Sequence, residues 1–250
     1  MPLAAIILAA GKGVRMQSEL PKVFHQVLGK PLLQYVIEAV QQLSPQKICV
    51  VVGYKKESII DYFKGFGLEF VVQEQQLGTG HAVMQARENL KDFSGEVLVL
   101  NGDMPLMKPE TLQNLVKFHR AQGAAATVLT ARIANPGAFG RIVRDNLGAV
   151  WKIVEKKDAA PAELKINEIN TGTFCFDAQS LFAILEKITP ENAQKEYYVT
   201  DTIALLKAEG KPVFAFVTED GREALGVNTR EELAVLEKML SAQPWGAHKG

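Results

Sequence analysis

The chain has 250 residues, and 28 lysines and arginines balance 28 aspartates and glutamates, so its formal net charge is zero. That length holds one large α/β domain with an ample core. The lack of a basic excess excludes a general nucleic-acid or membrane-surface binder, so any anion site must be local.

The opening run "PLAAIILAA" reads as a first buried strand over Ala4–Leu8; with no basic flank, it is too short for a signal or membrane segment. It leads into "LAAGKGVRMQSELPK", where Gly11 and Gly13 precede two cations, Arg15 and Lys22. Met16 stands where a dinucleotide fingerprint needs its third glycine, and no Gly-Lys-Ser/Thr completes a Walker A loop. Ligands of α/β sheets nevertheless bind at the carboxyl ends of strands, and glycines let backbone N–H groups approach phosphate oxygens. Arg15 can fork onto two such oxygens while Lys22 adds a compact charge. The loop is therefore a triphosphate cradle or, on the plainer reading, a glycine turn with solvated cations.

Pro31 opens a helix carrying Leu32, Val36, Ala39, Val40 and Leu43 at helical spacing. Strands follow at Ile48–Val52 and Leu68–Val72, then "QLGTGHAVMQA" enters a helix running from Gly80 to Leu90. Backbone groups at that entry suit a base edge or an anion, whereas His81, with no nucleophile to pair with, reads as a capping or packed residue. The strand Val97–Leu100 runs into "NGDMPL", where Asp103 is placed to hold Mg²⁺ beside a triphosphate or to bond its own turn. A helix from Pro109 with Leu112, Leu115, Val116 and His119, and a strand at Ala125–Thr130, complete an alternating pattern typical of a parallel sheet.

After about residue 132 the texture changes. "GRIVRDNLGAVWKIVEKKD" is a β-hairpin, "INTGTFCFDAQ" a strand entering a helix at Ser180–Lys187, and "VTDTIALLKAEG" a helix ending in glycine. "TREELAVLEKML" is a last helix capped by Thr229 with Glu232 three residues on, and "SAQPWGAHKG" a frayed tail. Cys49 and Cys175 lie in apolar runs and form no CxxC pair, as expected of buried, reduced thiols in a cytosolic protein. Glu155, Asn170 and Asn228 end predicted strands or follow them, where a carboxylate and two amides suit sugar hydroxyls or a metal. Each can equally be a turn or cap residue, and Lys156-Lys157 beside Glu155 leaves a solvated hairpin end open. No G-x-S-x-G, HExxH or Cys–His pair is present. Nucleotidyl transfer needs no protein nucleophile, because the attacking phosphate is already ionised.

"LAAGKGVRM…LPK", "QLGTGHA", "NGDMPL", "FGRIVRD", "VEKKDA", "EINTG", "QKEYYVTD" and "GVNTR" occur in this order. From about Leu3 to Leu240 the chain resembles the uridylyltransferase half of the GlmU family, bifunctional bacterial N-acetylglucosamine-1-phosphate uridyltransferases. The resemblance implies a Rossmann-like, glycosyltransferase-A-like three-layer α/β domain with a mainly parallel mixed sheet and a small β-rich sugar-binding part. Its divisions would be a nucleotide-binding part over 1–132, a sugar-binding part over 133–228 and a C-terminal helix over 229–240, with 241–250 as the tail. It further implies a cytoplasmic, Mg²⁺-dependent enzyme that joins UTP to N-acetylglucosamine 1-phosphate.

Carried over residue by residue, Leu8, Ala9, Ala10 and Gly11 would line the uridine site, Gln73, Gly78 and Thr79 would read the uracil, and Asn101 and Gly102 would also touch nucleotide. Arg15 and Lys22 would neutralise phosphates, and Asp103 and Asn228 would hold Mg²⁺. Gly140, Glu155 and Asn170, with Asn228 at their edge, would bind the sugar. Three positions depart from the family pattern: Val14 replaces a usual Thr, Asn101 a frequent Tyr, and Phe139 in "GAFGR" the Tyr of "GYGR". None of the three is a proposed metal ligand or phosphate cation. The family's hexapeptide-repeat acetyltransferase domain has no counterpart in this sequence, so no trimer driven by a β-helix is expected. A pyrophosphorylase for another sugar phosphate, such as glucose 1-phosphate, and a catalytically silent nucleotide-sugar-binding regulator are the alternatives. The role of Glu196-Tyr197-Tyr198 stays open.

Overall fold

The computed structural model describes residues 1–242. Its strands, in chain order, are β1 (Leu3–Ala9), β2 (Gln26–Val27), β3 (Lys30–Pro31), β4 (Lys47–Val52), β5 (Glu69–Val72) and β6 (Glu96–Asn101). They continue with β7 (Ala126–Arg132), β8 (Arg141–Arg144), β9 (Val150–Val154), β10 (Glu168–Asp177) and β11 (Val213–Val217). The helices are α1 (Leu32–Gln41), α2 (Lys56–Tyr62), α3 (Thr79–Gln85) and α4 (Pro109–Ala121), then α5 (Ala178–Leu185), α6 (Asp201–Ala208) and α7 (Arg230–Ala242).

Nine strands form one sheet whose main path is β11-β7-β10-β6-β1-β4-β5, with β8 and β9 attached through β10. β1 pairs in parallel with both β4 and β6, β4 with β5, and β7 with β11; β10 alone runs antiparallel between β6 and β7. Successive side chains of β1 point to opposite faces. Ala4 and Ile6 join a core covered by α3, α5 and α6, whereas Ala5, Ile7 and Ala9 join one covered by α1, α2 and α4. Phe174 and Phe176 of β10 fill the first core while Cys175 between them faces the second. The mixed, mainly parallel sheet expected from the sequence is present, with helices on both faces.

The expected strands lie within one or two residues of the observed ones. The helix expected from Pro31 begins at Leu32, because Pro31, at ψ 145°, is still extended and pairs with Gln26. The helix expected from Gly80 to Leu90 is instead α3 followed by a short 3₁₀ turn at Glu88–Leu90. The second cap is displaced by one residue: Thr229 Oγ1 accepts from Glu232 N at 3.2 Å, but Glu232 Oε2 accepts from Asn228 N at 2.6 Å. α2 and β11 were not foreseen. β10 and β11, which follow residue 132 in the chain, lie in the main sheet with the earlier strands. Ser241 and Ala242 continue α7, and the rest of the expected tail lies outside the described residues.

Candidate active site at the carboxyl ends of the strands

A cavity of about 860 Å³ opens where β1 and β6 end. In a parallel sheet the loops that leave these ends face one another, so residues far apart in the chain meet there. Leu8, Ala9, Ala10 and Gly11 form one wall. A Cβ on Gly11 would touch nothing within 4 Å, so this residue leaves the backbone open to the cavity. Gly13 serves differently: its φ is +69° and a Cβ there would collide with the Lys22 stem. The two glycines therefore do separate work, one exposing backbone and one admitting Lys22.

Lys22 is the centre of the site. Its ammonium pairs with Asp103 Oδ2 and donates to Asn228 Oδ1 at 3.0 Å, and Arg15 Nη2 donates to the same oxygen at 2.9 Å. Asp103 is almost buried, its carbonyl accepts from Val227 N at 3.1 Å, and a Cβ on Gly226 would sit 3.3 Å from its Oδ2. The strand-end loops of β1 and β6 and the loop before α7 thus converge on one ammonium. Gly102 stands between Asn101 and Asp103, which both line the cavity. Its N–H bonds Leu8 O at 2.9 Å, and a Cβ there would meet Leu33 of α1 at 2.9 Å.

On the α3 side, Gln73, Gly78 and Thr79 face the cavity. Gly78 has φ +114° and its Cβ would fall 2.5 Å from Tyr197 O; a Cβ on Gly80 would lie 3.0 Å from the same oxygen. Tyr197 N bonds Leu77 O at 2.8 Å, Gly80 N bonds Tyr197 O at 2.7 Å, and Val199 N bonds Thr79 Oγ1 at 3.0 Å. "GTG" and "EYYVTD" are therefore one clasp, which only glycines allow. This gives the Glu196-Tyr197-Tyr198 segment its place: it fastens the second half of the chain onto the first.

Gly140, Glu155 and Asn170 face the cavity from the β8–β10 side. A Cβ on Gly140 would sit 3.3 Å from both Glu155 carboxylate oxygens, a tight contact, and the Gly140 carbonyl accepts from Asn170 N at 3.0 Å. Asn170 Oδ1 accepts from Gly172 N at 2.9 Å, so it is a turn residue as well as a wall. Glu155 turns inward, unlike Lys156 and Lys157, which are exposed. Burial is the main cause that raises its carboxyl above the ordinary range; Thr200 Oγ1, donating at 3.3 Å, works against this, and Asp158 and Asp201 add to the rise. Thr200 and Glu196 also line the cavity, and sequence reasoning assigned neither. Their only signal was membership of "EYYVTD".

A model of the family described as Nucleotidyl transferase matches residues 4–226. The chain belongs to the nucleotidyl transferase family. It is 49% identical over 236 residues to the bifunctional protein GlmU of Enterococcus faecalis, covering 94% of this chain and 51% of that protein. It is 50% identical over 240 residues to the GlmU of Pelotomaculum thermopropionicum, covering 96% of this chain and 52% of that protein. The transferase thus spans about half the length of these curated relatives. Its fold is similar to that of a UDP-glucose pyrophosphorylase solved with UDP-glucose, at a TM-score of 0.79 and 19% identity over 97% of this chain and 99% of that one. Among the described residues of the transferase, no helix is long and apolar enough to cross a membrane.

Asp201 begins α6 beside this acidic wall, and burial first, then Asp158, push its carboxyl up to about 6 from 3.8. A raised folded-state value means that the folded chain holds a proton which the unfolded chain has released. Asp201 therefore favours folding below the lower value, and this contribution is lost as the pH rises through the higher one. Asp201→Asn should melt higher than the parent near about pH 7.5, with the gain fading below about pH 4. Scanning calorimetry across that range checks it, and a variant less stable at the higher pH contradicts the assignment.

Proposed function

We infer that this chain transfers UMP from UTP to N-acetyl-α-D-glucosamine 1-phosphate, releasing pyrophosphate. The observation that carries the reading is the meeting of Arg15, Lys22, Asp103 and Asn228 at the mouth of the strand ends. Identity near 50% to GlmU proteins over almost the whole chain supports the choice of substrates.

Two hard oxygens, one from Asp103 and one from Asn228, already share one positive charge in the form of the Lys22 ammonium. Such a pair fits Mg²⁺, which usually takes one or two protein carboxylates and leaves its other positions to water and substrate phosphates. Among the described residues no group of three or more His, Cys, Asp or Glu could hold a metal unaided, so nucleotide phosphates would complete the shell. When bound there, Mg²⁺ supplies charge withdrawal from the phosphates and fixes their orientation.

The chain's own residues do the rest. The Leu8–Gly11 backbone flanks the uridine, Gln73, Gly78 and Thr79 meet the base, and Asn101 lies beside the ribose and phosphates. Glu155 accepts from a sugar hydroxyl, Asn170 offers its amide NH₂, and Gly140 lets the N-acetyl group come close. The sugar-phosphate oxygen attacks the α-phosphorus in line, the bond to the β-phosphate breaks, and pyrophosphate departs with the electron pair. Arg15 and Lys22 offset the charge gathered on the α-phosphate and on pyrophosphate. Alignment of the two bound anions can supply about 7–11 kcal/mol of the barrier, and the attacking phosphate oxygen is already ionised, so it needs no general base.

Pyrophosphate release should be fast with UTP, Mg²⁺ and N-acetylglucosamine 1-phosphate, and slow with glucosamine 1-phosphate or glucose 1-phosphate. Equal rates with glucose 1-phosphate would transfer the assignment to another sugar, and UTP binding without release would favour a silent regulator. Asp103→Asn should lower kcat about a hundredfold to a thousandfold with circular dichroism unchanged. Near-normal turnover of that variant at low Mg²⁺ would remove Asp103 from the metal site.

A further inference from the structure

We propose that His81 is a positioning residue that, together with the Gly78 carbonyl, fixes the orientation of the Gln73 amide, and that this orientation makes the cavity select uracil over cytosine. The inference rests on the reading above, in which the base of UTP lies against Gln73 and Gly78.

Gln73 is 2% exposed, and its backbone is held on both sides: its N–H donates to Val52 O at 2.8 Å and its carbonyl accepts from Gln76 Nε2 at 3.1 Å. The side chain has one amide nitrogen and two neighbours for it, Gly78 O at 3.1 Å and His81 Nδ1 at 2.9 Å. A carbonyl oxygen can only accept. Turning the amide over would set Gln73 Oε1 against Gly78 O, two acceptors face to face in a buried place. Both amide hydrogens are therefore used only if His81 Nδ1 carries the lone pair.

The rest of the His81 environment makes that assignment a choice between two contacts. Gln85, one turn further along α3, lies with its Nε2 3.2 Å from His81 Nε2 and donates to His81 O at 3.1 Å. A neutral imidazole accepts at one nitrogen only. The shorter contact, to the more deeply buried amide, takes the lone pair, which leaves the proton on Nε2. The Gln85 hydrogens then go to His81 O and not to the ring, while the Tyr197 ring lies 6.4 Å from the imidazole between centroids.

The consequence reaches the cavity. Gln73 Oε1 has no donor among the described residues, although Gln73 lines the wall. The Gly78 N–H, at the N-terminal cap of α3, has no acceptor among the described residues either. An acceptor and a neighbouring donor complement uracil, which offers N3–H and O4. Cytosine offers a bare N3 and an amino group, so both contacts reverse. His81 touches neither base; it is a second acceptor, beside Gly78 O, that holds Gln73 against a flip which would turn the acceptor half of this pair into a donor.

The test compares dissociation constants of the Mg²⁺ complexes of UTP and CTP by calorimetry for the parent, His81→Leu and His81→Asn. The Asn amide oxygen falls near the position of Nδ1 and can accept in its place. The parent should prefer UTP, and His81→Leu should reduce the preference about threefold to tenfold, the worth of one of the two hydrogen bonds that hold the amide. His81→Asn should restore most of the preference, and KM for the sugar phosphate should stay within about twofold in both variants. A parent that binds no uracil nucleotide overturns both this inference and the function it rests on. A parent that prefers UTP, with His81→Leu keeping the full preference, overturns the role of His81 alone. Nitrogen-15 NMR of the parent decides the point without any variant: an unprotonated Nδ1 supports the role, and a protonated Nδ1 overturns it.

Discussion

The site is organised around one ammonium group. Lys22 joins Asp103 to Asn228, residues half the chain apart, and Arg15 shares the Asn228 oxygen. Much local sequence exists to let this happen. Gly13 adopts a left-handed conformation because the Lys22 stem occupies the space of its side chain, and Gly226 lies within 3.3 Å of Asp103. Asn228 is itself fixed, since its N–H is held by Glu232 in the first turn of α7. A half-buried ion pair of this kind adds little net stability, because desolvation offsets most of the attraction. Its value is positional: three loops are held with cations and oxygens already interleaved, where an anionic substrate would exchange partners with them.

The second constraint is the antiparallel strand. β10 enters between β6 and β7 and carries its β8–β9 attachment to the same end of the sheet as the β1 loop. Glu155 and Asn170 reach the cavity by this route. The Tyr197 clasp then closes the other side, using backbone bonds to Leu77 and Gly80 in place of side-chain packing. Because the bonds are backbone to backbone, what they demand of the sequence is room, and Gly78 and Gly80 supply it.

The central strands were legible in the sequence because strands buried on both faces read as uninterrupted apolar runs. β11 was missed because "VFAFV" is a short, half-exposed edge strand with weak alternation. α2 was missed because it starts at Lys55 in a left-handed conformation and buries only Ile59. At the site, Asp103 and Glu155 follow the ends of β6 and β9 as the strand-end rule expects, whereas Asn170 lies inside β10 near its start; the rule gives no direction for any of these side chains. The pairing of "GTG" with "EYYVTD" was legible only as a coincidence of motifs, since its physical cause is a contact between segments over a hundred residues apart. His81, read as a cap or packing residue, does pack, yet its ring nitrogen faces the one buried glutamine of the cavity wall.

The measurement that bears most directly on the central claim is metal binding with and without nucleotide. Mn²⁺ serves in place of Mg²⁺, followed by the relaxation rate of water protons. Two protein oxygens around one charge make a weak site alone and a strong one once phosphates complete it. Relaxation should therefore be strongly enhanced only when chain, Mn²⁺ and UTP are all present. Equal enhancement without UTP, or none beyond that of Mn²⁺ and UTP in buffer, would contradict the account.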